Sequence, residues 1–168
     1  MAIRPGQMPS APPLEVETRR LLLGLLTRHT PGMAAANIVV AVIFSLMLWR
    51  ENSTLRIGYW LTLPVSINLA RWAWNARLRS NLPSLGTESL LRAEIISAAI
   101  IALNGAAWGA LAWIAYNGDQ VDQDFFTLAV VVGMTGGAVT PLSTLRYAFP
   151  LFAAMALLPF LAKSLWIG

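Results

Sequence analysis

The sequence has no cysteine and a single histidine, His29. The first absence excludes disulfides, thiolate nucleophiles and cysteine-ligated metals. The second excludes a bis-histidine haem or a histidine-rich metal site built within this chain. Charge is also scarce. Only 12% of the 168 residues are charged, against about 25% in soluble domains. With 57% hydrophobic residues and a mean hydropathy of +0.61, the chain cannot cover itself with a wetted surface. The net charge of +4 is modest. In a membrane protein such a charge reports how arginines are divided between two sides, so it does not point to nucleic acid. A cleavable signal peptide is not evident either: "LLLGLL" is too short for its apolar core, and no small-residue cleavage site follows closely.

Catalytic apparatus is missing in the same way. Ser97, Ser143 and Thr144 have no histidine near them in sequence. No metal-ligand spacing and no phosphate-binding glycine loop occurs. No catalytic residue, metal or cofactor is therefore assigned, and enzyme activity is not expected of this chain. Nothing resembles a channel selectivity filter, and no ionisable residue is placed at the middle of a span, as proton-coupled transporters and pumps require.

What remains is apolar sequence in runs. Five are legible, at about residues 32–49, 57–74, 93–116, 125–145 and 149–167. Each approaches the ~20 residues a helix needs to cross ~30 Å of hydrocarbon. Helices satisfy their own backbone groups in lipid, so the runs predict an all-α integral membrane protein, a bundle of five transmembrane helices spanning 31–168. Residues 1–18, rich in proline and polar side chains, read as a flexible cytoplasmic tail. Residues 19–30, with leucines between Arg19, Arg20 and Arg28, read as an amphipathic helix on the membrane surface, with a simple extension of the first span as the alternative. Pro64, Pro141 and Pro159 are expected to kink their helices.

The arginines orient the bundle. With the N-terminus inside, the inner side holds Arg4, Arg19, Arg20, Arg28, Arg71, Arg77, Arg79, Arg92 and Arg146; the outer side holds Arg50, Arg56 and Lys163. The outer turn carries Asp119, Asp122 and Asp124. This asymmetry predicts a multi-pass membrane protein with a cytoplasmic N-terminus. Trp49, Trp60, Trp72, Trp74, Trp113 and Trp166 fall near span ends, where such rings prefer the headgroup region.

Within the spans, small and polar residues stand out. Ala98, Ala102, Ala106 and Ala110 recur every fourth residue, beside the GxxxG pair Gly105 and Gly109; Gly133, Gly136 and Gly137 punctuate the fourth span. Such stripes allow close backbone approach in lipid. They predict that the third and fourth spans pack on each other or on a second copy, which makes a homodimer a candidate partner beside the bilayer itself. Asn37, Asn68 and Asn104 lie inside spans one, two and three. An amide without partners is costly in hydrocarbon, so each is expected to face the interior, as interhelical glue or, with Trp108, as part of a pocket for a small lipophilic ligand.

The run "LNGAAWGALAW", an acidic turn, and "FFTLAVVVGMTGGAVTPLSTLRYAFPLFAAMALLPFLAKSLW" resemble a membrane sensor module of proteobacterial signalling proteins. That module stands N-terminal to diguanylate cyclase (GGDEF) domains or hybrid histidine kinases. Gly105, Trp108, Gly109, Phe126, Gly133, Gly137, Phe152 and Pro159 carry the likeness, across about residues 20–168. The resemblance implies a sensory input half whose sixth helix and cytoplasmic output domain are not in this sequence. It also implies a relay by shifts among packed helices. Two other classes remain open: a small membrane transporter or binder of a lipophilic molecule, and a structural assembly protein.

Overall fold

In the computed structural model, residues 14–49, 54–116 and 120–167 are described. Among them the chain is helical with short connections and no strand. Helix α1 spans Leu14–Leu48 and α2 spans Thr54–Asn81. A 3-10 turn at Leu82–Ser84, opened by Pro83, leads to Gly86 in extended backbone and then to α3, Thr87–Gly109. One further turn, α4 at Leu111–Ile114, continues α3 through the Ala110 N–H bond to Ala106. Helix α5, Val121–Leu142, opens with Asp122 and Asp124, which complement the positive end of its dipole. Helix α6 spans Ala148–Ile167.

The bundle is apolar outside and partly polar inside. Val39, Ile43, Leu46, Leu63, Ile95, Leu103, Val132, Leu158 and Leu161 are exposed, while Asn37, Asn68, Arg71, Asn75, Ser97 and Asn104 are buried. An exterior of this kind would be a continuous aggregation surface in water and is an ordinary one in lipid. Four helical stretches are long and apolar enough to cross a membrane: α1, α3 with α4, α5 and α6. This departs from the five expected spans. The second run lies within α2, which has the length but is diluted by Thr62, Ser66, Asn68, Arg71, Asn75, Arg77 and Arg79. Its polar stripe, Asn68, Arg71 and Asn75, follows helical spacing on the buried face with Pro64 and Leu78. Helix α2 sits between α1 and α3, α3 packs most closely on α6, and α5 leans on α6 with little contact to α1.

The predicted surface helix at 19–30 is not a separate element. Residues 14–30 belong to α1, which continues as helix past Pro31, and residues 14–18 are helical rather than part of a tail; the rest of that tail, 1–13, lies outside the described residues. Two physical reasons account for it. First, Leu23, Leu26, Thr27 and Thr30 are buried, and Gly24 faces Leu82, so this half of α1 packs against the α2–α3 turn. Second, proline lacks the N–H that would bond the carbonyl four residues earlier. That carbonyl is Thr27 O, and the Arg79 guanidinium donates to it. Arg19 bonds Glu94 at 2.6 Å and Glu15 at 3.1 Å, and Arg20 Nη2 donates to Leu85 O at 3.0 Å. The hydrogen bond that Arg19 donates to Glu15, and then the charge of Glu94, hold the Arg19 guanidinium above its usual pKa.

These contacts gather the start of α1, the α2–α3 turn and, through a cleft shared by Arg19, Glu94, Arg146 and Tyr147, the α5–α6 turn at one end of the bundle. The opposite end holds Lys163 over the Trp113 ring and Tyr116 beside Ser164. The acidic turn around Asp119 lies outside the described residues.

Candidate functional site

The three asparagines meet. Asn68, halfway along α2, is fully buried. Its amide nitrogen points at Asn37 Oδ1 of α1 (2.9 Å), Asn104 Oδ1 of α3 (3.0 Å) and the Pro64 carbonyl (2.8 Å), three acceptors sharing two hydrogens. Trp108 Nε1, one turn beyond Asn104, also donates to Asn37 Oδ1 at 3.3 Å. All four polar residues singled out in the sequence thus form one network across α1, α2 and α3. Asn68 Oδ1 is buried with no hydrogen-bond partner, and no bond from the amide nitrogen of Asn37 or Asn104 occurs among the described residues.

Toward the end away from the arginine cluster, the network is sealed by aromatic rings. Phe44 stacks on Phe126 with centroids 5.6 Å apart, and the Trp60 and Trp108 rings meet edge-on at 5.4 Å. Trp60, expected at a membrane interface, is buried here, and its Nε1 donates to Ala107 O at 2.6 Å. The reason is that its apolar ring completes this cluster while its one donor is satisfied inside. Trp49, Trp72, Trp113 and Trp166 are exposed, and half-buried Trp74 bonds Ser97 Oγ at 3.1 Å.

On its other side the network borders a cavity of about 180 Å³, partly open to the outside. Asn37, Asn104 and Arg71 form its polar part. Met33, Met134, Ala138, Leu142 and Phe152 supply apolar walls. Ala36, Gly133 and Gly137 are exposed and rim its mouth between α1 and α5. Arg71 is 4% exposed. Among the described residues its only side-chain contact of a polar kind is Nη2 to Met33 Sδ at 3.8 Å, a weak acceptor, and no acidic side chain forms an ion pair with it.

The glycine stripes part company. A Cβ on Gly105 would lie 2.5 Å from the Phe152 carbonyl oxygen, and one on Gly109 would collide with Met155 O and the Pro159 ring. Their partner is α6 of the same chain, neither the fourth span nor a second copy. The physical basis is the proline: Pro159 frees the Met155 carbonyl from its helical donor, and the bare Gly109 backbone lets α3 approach it. Ala98, Ala102, Ala106 and Ala110 flank this seam half-buried. Gly133, Gly136 and Gly137 meet nothing within 4 Å of their missing side chains; instead of packing α3 on α5, they leave α5 smooth.

Comparison with known proteins finds no matching family model, characterised protein or solved structure. Among the described residues no cluster of three histidine or acidic side chains is arranged to hold a metal.

Sequence reasoning missed Arg71, which it counted only among the arginines of the inner side. The signal available was its spacing: Asn68, Arg71 and Asn75 repeat at three and four residues, so a helix that buries the first buries all three.

Proposed function

We propose that the chain is a membrane-embedded sensory input module that holds a small lipophilic ligand in the cavity between α1 and α5. The observation that carries this reading is the cavity itself: unpaired amide and guanidinium donors at its floor, apolar walls, and a mouth rimmed by glycine and alanine in an otherwise leucine- and valine-rich surface. Pockets with apolar lining and a few convergent polar groups are the usual form of small-molecule sites. Helix α5 forms one wall and makes the least contact with its neighbours of the long helices, so occupancy of the cavity biases its position. That displacement is the relay the sensor resemblance calls for, toward a cytoplasmic cyclase or kinase partner. Helix α2 crosses the bilayer as a fifth span, its polar face turned to α1 and α3, with the arginine-rich end in the bacterial cytoplasm.

The test uses the full chain in nanodiscs of zwitterionic lipid and a neutral probe, methyl cis-parinarate, read by energy transfer from tryptophan. Saturable transfer that Gly137→Leu abolishes is expected. Non-saturable transfer, identical in both proteins, would overturn the binding site. Spin labels on Leu128 and Leu69, both exposed, then report α5: a distance between them that shifts with probe supports a sensor, and an unchanged distance favours a passive binder or carrier.

A further inference from the structure

The cavity's polar floor specifies more than a greasy guest. Resting on the binding reading above, we propose that the ligand is a single-chain amphipathic anion, of the fatty-carboxylate class, with its headgroup on Arg71 and its chain leaving through the mouth between Gly133 and Gly137. A guanidinium stays protonated in proteins and is costly to bury without a counter-charge. The described basic residues that form ion pairs, Arg19 and Arg92, find their carboxylates at the bundle's end; Arg71 is more deeply buried and among the described residues has only a thioether.

The described acidic residues are elsewhere. Glu15 and Glu94 are taken by Arg19 and Glu88 by Arg92, and Glu17 stands exposed in the first turn of α1. Asp122, exposed, and Asp124, buried with a partner of its own, lie in the first turn of α5, far along the helix from the cavity residues. The missing counter-charge is thus one that arrives with a ligand. One fixed cation matches one negative charge, and the planar fork of arginine matches the two oxygens of a carboxylate. A phosphate monoester would bring a second charge that nothing at the site neutralises. The amide nitrogens of Asn37 and Asn104, which line the cavity and make no hydrogen bond among the described residues, add donors. The apolar walls and the lipid-facing mouth then suit a hydrocarbon chain that enters sideways from the bilayer.

The experiment compares cis-parinaric acid, its methyl ester and an alkyl phosphate of equal chain length on the full chain in zwitterionic nanodiscs, with dissociation constants expressed as mole fraction in lipid. The acid is expected to bind at least about tenfold more tightly than the ester, the worth of one charge-assisted hydrogen-bond pair. The alkyl phosphate is expected to fall below the acid. Arg71→Gln is expected to bring acid and ester within about twofold of each other while ester binding persists. Equal affinities for acid and ester in the native chain would overturn the headgroup assignment without any variant, which guards against a substitution that fails to fold. An alkyl phosphate that outcompetes the acid would overturn the carboxylate class. Gly137→Leu separates the two levels. If it abolishes both probes while acid and ester bind equally, the cavity stands and the anion assignment falls; if it changes neither, the cavity reading itself falls.

Discussion

At the scale of single residues, the structure turns on carbonyls and amides that lack their ordinary partners. Pro31 deprives Thr27 O of a backbone donor, and Arg79 supplies another from α2. Arg79→Ala is therefore expected to cost about 1–3 kcal/mol, the charged form of an unmade hydrogen bond. With Pro31→Ala in place, the backbone donor returns and the same substitution is expected to cost clearly less. A double-mutant cycle of unfolding in mixed micelles reads this coupling directly, and additivity of the two changes would refute it. Asn68 is the other hinge of the argument, since it serves Asn37 and Asn104 at once. Asn68→Ala is expected to cost about twice what Asn104→Ala does, starting from a mean near 0.6 kcal/mol per interhelical bond. Replacing all three asparagines by leucine is expected to be milder than the sum of the single changes, because no polar group is then left stranded. Retention of the bundle with three leucines but loss of probe binding would separate glue from site.

At the scale of helices, glycine has two uses that composition does not distinguish. Gly105 and Gly109 face α6 backbone, so Gly105→Val and Gly109→Leu are expected to lower stability by more than about 2 kcal/mol through overpacking. Gly136→Leu points where nothing stands within 4 Å and is expected to stay within about 0.5 kcal/mol of the native chain. Thermal unfolding of the three variants side by side checks the contrast; equal losses would contradict the packing. The spacing of small residues on α3 announced a smooth face, yet spacing carries no information about which helix fills it, and the neighbour proved to be α6. The convergence of Asn37, Asn68, Asn104 and Trp108 was more legible, since a polar side chain in an apolar run has only the interior to go to. Arg71 was not legible because a hydropathy boundary drawn at Trp74 places every nearby arginine at the water's edge, whereas the helix continues to Asn81. Residues 19–30 instead continue into the first span, the alternative that the sequence left open, and the arginine that bonds the carbonyl stranded by Pro31 lies 52 residues away in the chain.

At the scale of the whole molecule, alternation of helix direction and the clustering of arginines are two independent routes to one topology. Connections are short, so consecutive helices run antiparallel, which sets the α2–α3 turn and the α5–α6 turn at the same end as the start of α1. That end also holds Arg19, Arg20, Arg79, Arg92 and Arg146, the residues a positive-inside bias would retain in the cytoplasm. Helix α2 decides whether the two routes agree. If it crosses, five helices alternate and Gln120, at the start of α5, lies across the bilayer from Ser84 and Arg146. If it lies along the surface instead, its exposed Leu63 and Leu69 would have no lipid core to face, and the buried stripe of Asn68 and Arg71 would have no reason to pack between α1 and α3. The lack of native cysteine makes the test direct, because Ser84→Cys, Gln120→Cys and Arg146→Cys each place one thiol on an otherwise thiol-free chain. In intact bacterial cells an impermeant maleimide is expected to label the cysteine at 120 and to spare those at 84 and 146; in inverted vesicles the pattern is expected to reverse. Labelling of 84 and 120 from the same side would place α2 outside the hydrocarbon, expose Arg71 to water and remove the physical ground for an anion at its guanidinium.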